Sequence, residues 1–195
     1  MNNFLGSFLL SLVIILNPMM AREAPPSFVA HTEEQYIYYN VPLSEYQQNY
    51  VQNLCEKYDL SYELVLAVMK VESNFDINAI SDTGSSQGIM QINKNTAPWI
   101  AKQLGIKNYD MFNFGHCTNF GCYNLAYHRS YWKDKGYSDE EVFDLMLSSY
   151  HYGIAGCKKK GIAKSYVNKV YEYKVQLEES NWQIKNEQEE IEQLH

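Results

Sequence analysis

Two serine-led boxes fix where helices must begin in this chain. Ser44-x-x-Gln47 and Ser138-x-x-Glu141 each set a hydroxyl to accept the third backbone N–H of a helix, with an amide or carboxylate placed to reach back. After each box apolar residues recur at helical spacing, and no alternating run of any length competes as a strand. The first helix is expected from Ser44 to about Tyr58, with Tyr50, Val51, Leu54, Cys55 and Tyr58 as its buried stripe. The second begins near Ser61, carries Leu64, Ala67, Val68 and Val71 on one amphipathic face, and ends near Ser73. Further helices are expected from about Asn95 to Leu104, from about Asn119 to Lys135 and from Ser138 to about Tyr150, with Gly105 and Gly136 as stops. A last helix follows Gly161 and runs on into a Glu/Gln-rich tail. The small and polar stretch from Ser81 to Gly88 reads as a loop, with a small irregular hairpin as the most β structure the chain would hold. The fold class is all-α, α+β at most, in a single globular domain.

A chain of 195 residues with 46% hydrophobic content can bury one sizeable core but not two ordinary ones. Its net charge of -7 offers no basic surface for phosphates, so nucleic acid is not an expected partner. Much of that acidity is local, because six glutamates stand against two lysines from Lys174 onward. At the other end, an apolar run from Phe4 to Leu16, then Asn17-Pro18 and a small residue at Ala21, reads as an export signal over 1–21. The run is short for a bilayer span, and an uncleaved anchor is the other reading. The segment 22–41, with Pro25-Pro26 and Tyr36-Ile37-Tyr38-Tyr39, reads as a linker or an arm lying on the domain. The catalytic body is expected over 42–173 and an acidic helical tail over 174–195.

Export would bring Cys55, Cys117, Cys122 and Cys157 into an oxidising environment. The short separation of Cys117 and Cys122 suits a local bridge and leaves Cys55 to Cys157 as a staple; four buried free thiols are the other reading. No Cys-x-x-Cys or His-x-x-x-His spacing suggests a metal, His116 and His128 read as structural or exposed, and no cofactor is implied.

Glu72 is the residue with chemical promise. It follows Val71 at the margin of the apolar stripe and sits at the C-terminal end of its helix, so burial and the negative helix end both disfavour its charge. A carboxyl whose pKa is raised is what a general acid near neutral pH requires. A solvated helix-end glutamate is the plain alternative, and position alone favours it.

The residues downstream change that balance. Glu72-Ser73, then Gly84 and Gln87-Gly88-Ile89-Met90-Gln91-Ile92, and later Tyr150, Gly153 and Tyr166-Val167-Asn168-Lys169-Val170 resemble, in order and spacing, the soluble lytic transglycosylase domain. The resemblance covers about Leu43 to Tyr173. It implies a lysozyme-like helical fold with a glycan-binding groove, acting on peptidoglycan glycan strands. It also implies one carboxylate, at Glu72, that protonates the oxygen between N-acetylmuramic acid and N-acetylglucosamine and then takes the proton of the muramic C6 hydroxyl. By the same carry-over Ser73 and Gln91 would bond the N-acetylated sugar, Tyr150 would orient Glu72, Gly88 would admit backbone close to the glycan, and Met90 would pack beneath the site.

Three departures stand out: Ile89 for the family's Leu, His151 for an Asn after Tyr150, and, near Asn119, Phe120 for Ile with Tyr123 in place of Gly. His151 puts an imidazole where a substrate-binding amide is expected. Trp99 and Tyr152 are the candidate stacking platforms for sugar faces. A hydrolytic lysozyme using Asp76 or Asp82 as second acid stays open, as does a non-catalytic glycan-binding or envelope-assembly protein. The expected state is a monomer in the periplasm or cell wall, with the tail a candidate contact to secretion or conjugation machinery.

Overall fold

The structure, a computed structural model, describes residues 36–193, with side chains as far as 181. The expected export signal over 1–21 lies outside the described residues, among which no helix is long and apolar enough to cross a membrane. Six helices and one two-stranded hairpin make up the described chain: α1 (Glu45–Tyr58), α2 (Tyr62–Ser73), β1 (Ser86–Gln87), β2 (Ile92–Asn93), α3 (Ala97–Gln103), α4 (Phe114–Lys133), α5 (Asp139–Lys160) and α6 (Lys164–Gln193). Both capping boxes form as the sequence implies, Ser44 with Gln47 and Ser138 with Glu141.

α2 is the axle of the fold. Residues Leu64, Val65, Leu66, Ala67, Val68 and Met69 are all buried, so this helix is apolar around its whole circumference and not on one face only. It needs cover on every side, and it packs between α1 and α6, while α4 packs on α5 and α1. Its end is abrupt, because Asn74 and Phe75 both take left-handed φ values of 53° and 67°. That turn sends the chain into the hairpin, where Gln87 pairs with Ile92 and Ser86 with Asn93.

Two helices depart from their expected limits. α4 starts at Phe114, because the Asn113 side chain accepts the His116 N–H at 3.0 Å and caps the helix one turn and more ahead of Asn119. α5 does not stop at Tyr150; the chain breaks at Gly153 (φ 73°, ψ 158°) and resumes helix to Lys160. That backbone region is open in practice only to glycine.

The arm is anchored from Tyr36 onward. Gln52 on α1 accepts the Ile37 N–H and donates to the Ile37 carbonyl, both at 2.9 Å. Gln48, one turn earlier, does the same for Tyr39 at 2.9 and 3.1 Å, and also donates to Leu43 O and accepts the Tyr62 hydroxyl.

The expected disulfides do not form. All four cysteines are buried free thiols. Cys117 and Cys122 both lie within α4, where five positions turn their side chains well apart. Cys55 belongs to the main core, whereas Cys157 sits in a separate small cluster with Trp132 and Val142. Burial pushes the Cys117 and Cys122 thiols up to about 11 and about 12, which keeps them in their unreactive form.

Candidate active-site cleft

A cleft of about 600 Å³ opens between the end of α2, the hairpin, α4 and the break in α5. Glu72 sits in its wall, half-buried on the last turn of α2. Burial pushes its carboxyl up to about 7, against a smaller downward pull from a hydrogen bond with Tyr166. Tyr166 Oη donates to Glu72 Oε1 at 2.6 Å. A phenol donating to one oxygen leaves Oε2 to carry a proton.

The residue on Glu72 is therefore Tyr166, not the expected Tyr150. Tyr150 lines the cleft, and the charge of Glu72 adds to burial in raising its phenol, but its hydroxyl donates to the carbonyl of Met90 at 2.7 Å. The sequence did offer Tyr166, as the first residue of the Tyr166-to-Val170 segment. Spacing could not show that α6, folding back onto α2, would bring it across 94 residues to Glu72.

The segment Gly88-Ile89-Met90-Gln91 is the turn of the hairpin. A Cβ on Gly88 would lie 2.0 Å from the Met111 carbonyl oxygen and 2.7 Å from Cys117 Sγ, and its φ of 77° already asks for glycine. The close approach is to this protein's own α4 entrance. Met90 is fully buried and lies in the notch left by Gly121, where a Cβ would meet its sulfur at 2.2 Å. It belongs to the main core. Gln91 lines the cleft, and its left-handed φ of 45° is held by its own amide, which donates to Ala79 O at 3.0 Å and Gly88 O at 2.9 Å. Ser73 has a structural use: its hydroxyl faces Ile89 O at 2.7 Å and ties the end of α2 to the hairpin turn.

His151 is exposed and its ring stacks on that of Tyr166, with centroids 4.6 Å apart and planes 15° apart. Partial desolvation, and secondarily the Lys160 ammonium, hold its pKa below the usual histidine value. Trp99 and Tyr152 both line the cleft. Tyr123, standing for glycine, packs under Trp99 at 5.8 Å, and Tyr127 packs edge-on to it at 4.7 Å, so that end of the cleft is aromatic.

His128, read from the sequence as structural or exposed, is a buried residue of the cleft lining. It is 7% exposed, lines the floor of the cleft, and has Nδ1 buried without a hydrogen-bond partner among the described residues. Burial holds its pKa down to about 4, so it is neutral at physiological pH. Asp76 and Asp82 are exposed and stand outside the cleft, where Asp76 accepts the Asn78 N–H at 2.8 Å. Among the described residues no cluster of His, Cys, Asp or Glu could hold a metal ion.

Comparison with known proteins agrees with this geometry. Two solved structures share the fold: an inactive mutant of the lytic transglycosylase Slt from Pseudomonas aeruginosa, and the 70 kDa soluble lytic transglycosylase from Escherichia coli. Each is 17% identical to this chain, with TM-scores of 0.58 and 0.53, covering 71% and 65% of it. The chain in turn spans only 24% and 23% of those proteins. No curated protein matches. The profile of the transglycosylase SLT domain matches residues 49–183, from the middle of α1 to beyond the point where α6 crosses α2, so the helices that carry Glu72 and Tyr166 both fall inside it. The chain belongs to the transglycosylase SLT domain family.

Proposed function

We propose that this chain is an exported peptidoglycan lytic transglycosylase that cleaves the β-1,4 bond between N-acetylmuramic acid and N-acetylglucosamine, with Glu72 as acid and then base. The observation that carries the reading is a single carboxyl whose pKa is raised to about 7 by burial, in a cleft with no other acid in its described lining. Ordinary glycoside hydrolysis needs two carboxylates, one of them to activate water or attack the sugar.

With one carboxylate the steps balance as follows. Glu72 Oε2 gives its proton to the glycosidic oxygen as the bond to muramic C1 breaks, and the departing N-acetylglucosamine leaves with a new hydroxyl. The C6 hydroxyl of the same muramic residue closes on C1, and its proton passes to Glu72, which returns to its starting state. No water is consumed, and the product is a 1,6-anhydro ring. Between the two transfers Glu72 is charged, and the Tyr166 hydroxyl stabilises that form. Gln91 and His151 border the glycan, Trp99 and Tyr152 offer it flat faces, and Tyr150 and Ser73 hold the hairpin turn beside Glu72. The apolar run of the first twenty residues supports export to the envelope, where the substrate lies.

The test is mass spectrometry of muropeptides released from purified peptidoglycan by the full-length chain, with Glu72→Gln run in parallel. Products lighter than hydrolysed muropeptides by one water, absent from the variant, are expected. Reducing-end products would make the enzyme a hydrolase, and no products from a folded sample would make it a binding protein.

A further inference from the structure

Residues 158–169 hold five lysines and no acid, in a chain whose net charge is -7. Lys164 and Lys169 line a pocket of about 260 Å³ with His151, Tyr152, Ser165 and Tyr166. Lys160 joins them, its Nζ 4.4 Å from the centroid of the Tyr152 ring. Among the described residues the ion pairs engage Arg129, Lys133 and Lys174, and none engages these three lysines. Gathering like charges without counter-charges is unfavourable in the free protein and raises a local positive potential that an anion would neutralise.

The pocket adjoins the cleft. His151 and Tyr152 line both, and Tyr166, which walls the pocket, reaches Glu72 through its hydroxyl. The stacked rings of His151 and Tyr166 stand at the edge that the pocket shares with the cleft. A glycan strand is built of neutral sugars, and its peptide stems bring carboxylates within a few residues of each muramic ring. We propose that this lysine-lined pocket binds the carboxylates of the peptide stems, so that stem-bearing strands with free carboxylates are the preferred substrate. The inference rests on the reading of the cleft given above and adds the substrate class to it.

The experiment compares native peptidoglycan sacculi with sacculi whose free stem carboxylates have been converted to carboxamides. Sedimentation measures binding of the full-length chain and product release measures cleavage. The native chain should favour native sacculi about three- to tenfold at low salt, the size expected of a few exposed ion pairs. The preference should shrink at about 0.5 M salt, where screening is nearly complete. In Lys164→Gln/Lys169→Gln the ratio should fall to about one through KM, while Lys164→Arg/Lys169→Arg retains it. Equal treatment of the two substrates by the native chain, or an unchanged ratio in the glutamine variant, overturns the proposal. Should neither substrate be cleaved, the cleavage reading alone fails, and the sedimentation ratio decides the pocket by the same criterion.

Discussion

The two glycine-dependent corners of the cleft are built on different principles. At the hairpin turn Gly88 has a φ of 77° and no room, since a methyl group there would enter the Met111 carbonyl and the Cys117 sulfur. At the break in α5 Gly153 has a similar φ of 73° with nothing within 4 Å of where a methyl would go. The first corner is fixed by packing and is tied to the end of α2, next to Glu72, by the hydrogen bond from Ser73 to Ile89 O. The second is fixed by backbone preference alone, and it carries the exposed His151 and Tyr152 into the cleft. The acid is thus mounted on the rigid side, and the surfaces that would meet the strand are mounted on the open one.

The comparison can be broken most decisively at the acid. Glu72→Gln is expected to lower cleavage by at least about a thousandfold, because the one carboxyl in the cleft's described lining is gone. Stability should move the other way. A carboxyl raised to about 7 when folded contributes stability that is complete below its unfolded pKa near 4.5 and lost as pH rises through 7. The glutamine variant should therefore be more stable than the native chain at pH 8, by roughly 1–3 kcal/mol in denaturant melts, and show no gain at pH 4. For the same reason native kcat/KM should fall on the alkaline side of about pH 7 with no acidic limb from a second carboxylate; a bell-shaped profile would count against a single acid.

Gly88→Ala comes next, with strain and collision acting together. A loss of about 3 kcal/mol or more is expected in denaturant melts, with the hairpin turn displaced. Tyr166→Phe should lower kcat by about ten- to a hundredfold, the worth of a hydrogen bond to a charged group, and shift the alkaline limb upward. That shift separates a partner of the acid from a residue that merely packs. Gly153→Ala should be the mildest, costing about 1–2 kcal/mol from backbone strain alone. Equal losses at Gly88 and Gly153 would mean that the two corners do not differ as described.

Local rules made much of this legible in advance. The two capping boxes, the helix end at Ser73 and the hairpin turn follow from residues close to one another in the chain. What escaped needed the third dimension. The stripe on α2 looked one-sided because Val65, Leu66 and Met69 matter only when α6 covers the opposite face. Tyr166 meets Glu72 through that same packing, and His128 becomes a floor residue only once α4 lies beside α5. The cysteines misled because even numbers suggest bridges, whereas burial in two separate clusters leaves them as small apolar side chains.

The arm shows what kind of change the protein can absorb. Gln48 and Gln52 hold residues 39 and 37 by backbone N–H and C=O alone, one amide to each, as a neighbouring strand would. Recognition of that sort is blind to side chains. Over evolutionary time the exposed Tyr38 between the two contacts is free to drift, while either glutamine, changed to glutamate, would turn donors into acceptors facing carbonyl oxygens. Related chains should therefore preserve the pair of amides on α1 together with the buried Tyr39, while position 38 varies.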